Sequence, residues 1–230
     1  MIKGFRGTSL VDYPGKVASV IYTYGCNFRC PYCYNIELIL PEYYRDLPDL
    51  SEEEVLENLK KRKGFIQGVV ITGGEPTLWG KKLHFLIERI HFELSLPVKL
   101  DTNGSHPEML KTLLKEELLD YVALDFKTSP QKYPQLSGEF EKVRESLEIL
   151  KNYSEKVEIR ITLYPPFVTE EDLEEMLPYL SGFKNIALQK YLPEKNLSGK
   201  PYTPYSEETY EKFLTFLSHS LPKARLIKRF

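Results

Sequence analysis

Six short runs of β-branched and apolar residues recur along this chain, at 17–22, 68–72, 98–101, 121–125, 157–162 and 185–189, and each reads as a strand. Longer segments separate them, with apolar residues three and four apart, as in Leu83, Leu86, Ile87, Ile90 and Leu94, or Val143, Leu147 and Leu150. Helix starts are marked by Ser51 with Glu54, by Thr169 before three acidic residues, and by Pro107. Strand then helix, repeated, predicts an α/β fold with parallel strands, either doubly wound or curled into a barrel. Six units are too few for a complete eightfold barrel.

Both architectures place a site at the carboxyl ends of the strands. Those ends are polar here: residues 25–33, Thr72 to Pro76, Asp101 to Gly104, Asp125 to Lys127, then Arg160 and Gln189. The chain has 230 residues, 42% hydrophobic and 28% charged, which suits one folded domain over 1–230. Its net charge of −2 provides no global basic field, so neither nucleic acid nor a membrane surface is an expected partner. With no long apolar run and no apolar leader, the expected location is cytoplasmic.

That compartment is reducing, and three cysteines cannot pair fully as disulfides. Cys26, Cys30 and Cys33 have the spacing C-x3-C-x2-C, directly after the first predicted strand, in a loop that carries Gly25 and Pro31. Three thiolates in one loop suit zinc or an iron-sulfur cluster. Zinc needs a fourth ligand, and His84, His91, His106 and His219 all lie far along the chain.

The cysteine loop with Tyr32 before its last cysteine, followed in order by Thr72 Gly73 Gly74 Glu75 Pro76 and Asp101 Thr102 Asn103 Gly104, resembles the radical S-adenosylmethionine (radical SAM) enzymes. Residues 7–16 (GTSLVDYPGK) running into 24–35 (YGCNFRCPYCYN) resemble the activating proteins of glycyl-radical enzymes, above all those of anaerobic ribonucleoside-triphosphate reductase. The resemblance spans 4–192 and implies an incomplete (β/α)6 TIM-like barrel with its core at about 16–192. A C-terminal helix and basic tail over 193–230 would follow.

The resemblance further implies a [4Fe-4S] cluster on Cys26, Cys30 and Cys33, with S-adenosylmethionine on the fourth iron. Cleavage of that cofactor would give a radical that removes hydrogen from a glycine of the partner. Gly73, Gly74 and Glu75 match the segment beside the methionine amine, with a tight strand-to-helix turn as the competing reading. Asp101, Thr102 and Asp125 match a monovalent-cation site near the methionine carboxylate, with helix capping as the competing reading. Asn103 belongs to the same stretch, and Lys127 would pair with the carboxylate. Arg160 matches a nucleoside contact, and Gln189 replaces a histidine found near the adenine in pyruvate formate-lyase activators. Tyr32 and Tyr34 are candidates to pack near the adenine.

A flavodoxin or ferredoxin is the expected electron donor, for which Lys60 to Lys63, or Lys223, Arg225, Lys228 and Arg229, offer basic clusters; helix-dipole complementation explains the first as well. Alternatives are another glycyl-radical target of the pyruvate formate-lyase type, a small-molecule enzyme such as 7-carboxy-7-deazaguanine synthase, and a zinc-stabilised binding module.

Overall fold

The computed structural model describes residues 1–194, 196, 197, 199 and 201–229; Lys195, Ser198, Lys200 and Phe230 lie outside the described residues. The strands are β1 (Ile2–Ser9), β2 (Ala18–Thr23), β3 (Gly68–Gly73), β4 (Val98–Thr102), β5 (Tyr121–Asp125), β6 (Val157–Leu163), β7 (Asn185–Lys190) and β8 (Arg225–Arg229). Between them lie α1 (Ile36–Ile39), α2 (Pro41–Tyr44), α3 (Glu52–Arg62), α4 (Lys81–Leu94), α5 (Pro107–Lys115), α6 (Phe140–Lys151), α7 (Glu170–Leu180) and α8 (Glu207–Ser220). The strands hydrogen-bond in sequence order, β1 to β8, in one mostly parallel sheet. No described helix is long and apolar enough to cross a membrane.

The six sequence-predicted strands are β2 to β7, within a residue or two at each end. Two strands were not expected. β1 runs antiparallel to β2, and its two glycines and two cations hide the alternation that would reveal it. β8 lies in the stretch read as a solvated basic tail: it pairs parallel to β7, with Asn185 opposite Arg225 and Gln189 opposite Arg229. Two of its charges are matched, since Lys228 lies on Glu207 and Glu211, and Arg229 on Glu158.

The chain divides into two compact units. The first comprises 1–27, 35–102 and 108–122, and the second comprises 28–34, 103–107 and 123–230. In the first, α4 buries Leu83, Leu86, Ile87, Ile90 and Leu94, the stripe that its spacing predicts. Ser51 caps α3 by accepting from the Glu54 N–H at 3.1 Å. In the second, α6 buries Val143, Leu147 and Leu150, and Thr169 with Asp172 forms a reciprocal capping box on α7.

Candidate active site

In the first unit the parallel ladder from Ala18↔Gly68 to Thr23↔Gly73 sets the end of β2 beside the Gly73-Gly74-Glu75 turn. The Gly74 N–H donates to the Thr23 carbonyl at 2.9 Å and the Glu75 N–H to the Gly25 carbonyl at 2.8 Å. A Cβ on Gly74 would stand 1.9 Å from the Gly25 oxygen, and one on Gly73, where φ is +123°, 2.2 Å from the Thr23 oxygen. Only glycine permits this approach. It holds the backbone before Cys26 against the end of β3, and Asn35 Nδ2 donates to the Gly73 carbonyl at 3.0 Å.

Glu75 is 1% exposed. Its Oε1 accepts from the Thr77 N–H at 3.1 Å, from Thr77 Oγ1 at 2.6 Å and from Thr102 Oγ1 at 2.8 Å. The carboxylate thus ties the end of β3 to the end of β4. Asp101, one residue earlier on β4, receives the buried Lys99 ammonium on Oδ1. Burial pushes the Tyr22 phenol up; Arg6 opposes, while the Asp12 and Asp101 charges add to the rise. Trp79 Nε1 donates to the Tyr24 carbonyl at 2.9 Å, which steadies the segment before the cysteines.

The second unit carries Cys30, buried, and Cys33, half-buried. The Cys33 N–H donates to the Cys30 carbonyl at 3.1 Å, so the last two cysteines flank a tight turn. Backbone bonds pin this loop at both ends, from the Arg29 N–H to the Leu136 carbonyl at 2.8 Å and from the Leu197 N–H to the Pro31 carbonyl at 2.9 Å. Tyr32, between the cysteines, points its hydroxyl at the Lys127 carbonyl, 3.4 Å away, and its ring centroid lies 4.9 Å from that of Tyr164. Tyr164 also packs on Phe167, Tyr191 and Tyr202. Tyr34, by contrast, is 56% exposed.

Asp125 accepts from Arg160 Nε at 2.7 Å and from Lys127 Nζ at 3.2 Å. Burial alone would push its carboxyl up, yet the Arg160 and Lys127 charges prevail and hold it far below the usual carboxylate range. Lys127 is raised well above the ordinary lysine value, because Asp125, Cys30 and Tyr32 outweigh its own desolvation. Arg160 is therefore not on a solvent-facing side of its strand: its side chain is 12% exposed and paired. Asn103 Oδ1 accepts from the Ser105 N–H at 2.9 Å and shapes the turn after β4. Gln189 is half-buried near the end of β7, in register with Thr162 of β6.

Of the three cysteines, Cys26 lies in the first unit and Cys30 with Cys33 in the second. Among the described residues no three His, Cys, Asp or Glu side chains group around a single ion, as a structural zinc requires. A cubane binds each thiolate through a different iron, so its ligands need no such common point, and the donor chemistry fits it. Lys99, Tyr164 and Leu197 were missed from sequence. Lys99 alone left a signal, a lysine two residues before an aspartate in an otherwise apolar strand.

A model of the radical SAM superfamily matches residues 20–180, a span holding the three cysteines, the Gly-Gly-Glu turn, Asp101, Asp125 and Arg160. This chain belongs to that superfamily. As a radical SAM enzyme it comes from a family that uses a [4Fe-4S] cluster and S-adenosylmethionine. It is 38% identical over 205 residues to a Methanocaldococcus jannaschii protein provisionally named a glycyl-radical enzyme activating enzyme, covering 84% of this chain and 81% of that one. It is 26% identical to the pyruvate formate-lyase-activating enzyme of Clostridium pasteurianum, covering 87% and 84%, and 29% identical to the 7-carboxy-7-deazaguanine synthase of Thermococcus kodakarensis, covering 71% and 68%. Among solved structures, anSMEcpe with bound AdoMet superposes with a TM-score of 0.62 at 22% identity, over 89% of this radical SAM chain and 62% of that one. QueE from Escherichia coli superposes with a TM-score of 0.55 at 17% identity, over 99% and 92%. At these identities the two structures speak for the fold alone.

Proposed function

We propose that this radical SAM enzyme is the activase of a glycyl-radical enzyme, and that its target is anaerobic ribonucleoside-triphosphate reductase. The observation that carries the activase reading is the 38% identity over 84% of the chain with a relative named for that role. The opening segment 7–16 supports it, and with residues 24–35 supports the reductase as target.

In this reading Cys26, Cys30 and Cys33 hold the [4Fe-4S] cluster. When bound, the cluster supplies the electron that splits the sulfonium of S-adenosylmethionine, the origin of the species that takes hydrogen from glycine. The protein's own residues bind and orient. The Gly73-Gly74 turn brings backbone acceptors within reach of a methionine ammonium. Arg160, its Nε held by Asp125, is the contact to the nucleoside in this reading. Lys127, fixed by Asp125 beside Cys30, faces the methionine carboxylate, and Gln189 offers an amide to the ribose or base. Tyr32, locked on Tyr164, keeps water from the cysteine loop. Such a chain works in the cytoplasm and draws its electron from a flavodoxin or ferredoxin.

The test is anaerobic reconstitution with iron and sulfide, followed by reductant, S-adenosylmethionine and the cognate reductase. Electron paramagnetic resonance should then show a glycine-centred radical on the reductase. Competent cofactor cleavage with no such radical would overturn this target. The Thermococcus kodakarensis similarity favours one second reading, a small-molecule substrate of the 7-carboxy-7-deazaguanine class, which would show as cofactor turnover with the purine precursor alone.

A further inference from the structure

A buried ammonium stands behind the carboxylate near the end of β4. Lys99 and Asp101 are two residues apart and project from one face of the strand. Their side chains are 1% and 10% exposed, and Lys99 Nζ donates to Asp101 Oδ1. Lysine is almost never so deeply buried without a partner. Such a pair is a poor device for stability, since apolar residues of similar volume commonly do as well or better, so its presence points to a use for the charges themselves.

The use follows from position. Asp101 lies at the carboxyl end of its strand, and Lys99 approaches it from farther down β4, away from that end. The sequence resemblance implies a free monovalent cation on Asp101, Thr102 and Asp125. Each of those groups is already committed within its own unit: Asp101 to Lys99, Thr102 to Glu75, and Asp125 to Arg160 and Lys127. An alkali ion on Asp101 would meet the like charge of Lys99.

We infer that Lys99 Nζ is a tethered monovalent cation. It keeps Asp101 ionised and fixed, and offsets the repulsion between that carboxylate and the incoming carboxylate of S-adenosylmethionine. The cofactor then binds without a free alkali ion, whose immobilisation would carry its own entropic cost. The inference rests on the functional reading together with the resemblance that sets Asp101 and Thr102 near the methionine carboxylate. Lys99 is a positioning residue here, acting through Asp101.

The experiment uses cluster-reconstituted holoenzyme and measures the S-adenosylmethionine Kd by calorimetry, in buffers whose cation is sodium, potassium or choline. Wild type should hold its Kd within about twofold across the three. Lys99→Met should bind about tenfold more weakly in choline and recover in sodium or potassium. A wild-type Kd that weakens about tenfold in choline overturns the inference without any variant, as does a folded Lys99→Met that binds like wild type in choline. Failure of wild-type holoenzyme to bind S-adenosylmethionine in any buffer would instead sink the functional reading. Thermal melts identify a variant that does not fold, and Lys99→Arg, which keeps the charge, should stay insensitive to the buffer cation.

Discussion

Asp125 sets the Arg160 and Lys127 charges against the cost of its own burial, and its removal is informative. Asp125→Asn leaves Arg160 and Lys127 without their shared anion. Because the carboxylate is partly exposed, the expected loss is about 1–3 kcal/mol, read from urea unfolding of the apoprotein. The sign of its pH dependence follows from the depressed folded value. Protonation favours the unfolded chain, whose carboxyl titrates near 3.8, so the contribution is complete above about pH 5 and is lost as pH falls below about 4. Wild type minus variant should therefore be flat from neutrality to about pH 5 and shrink below it. Gly74→Ala tests a different constraint. Its Cβ would lie 1.9 Å from a backbone oxygen that cannot swing aside, and the expected cost is at least about 2 kcal/mol by the same measurement.

At the scale of elements, the cysteine loop takes its order from distant chain. The Leu197 N–H reaches back to Pro31, and Leu197→Pro deletes that donor. Iron release from the reconstituted protein to a chelator should accelerate about three- to tenfold, with far-ultraviolet circular dichroism unchanged. Ser51→Ala removes the oxygen that caps α3, far from any proposed chemistry, and should cost about 1 kcal/mol in a thermal or urea melt while leaving iron retention alone. The elements also show what a linear reading reaches. β2 to β7 were legible because fully buried parallel strands read as continuous apolar runs. β1 and β8 were not, since an end strand is solvated on one side and tolerates the glycines and cations of IKGFRGTS and RLIKR. In the site, the cysteine spacing and the Gly-Gly-Glu turn were plain. The Lys99–Asp101 pair and the three donors on Glu75 were not, because such contacts depend on which face of a strand is buried and which strands adjoin.

For the molecule as a whole, the strand order begins with β1 and ends with β8, and such end strands are where another chain can add by pairing. The cations on them are held by acidic neighbours: Lys3 by Asp49, Arg6 by Asp12, Lys228 by Glu207 and Glu211, and Arg229 by Glu158. An added strand would have to strip water from these ion pairs, a cost that guards each margin against a second copy. Replacing Lys228 and Arg229 by valine should accordingly let the protein begin to self-associate by strand addition, and light scattering against concentration would report it.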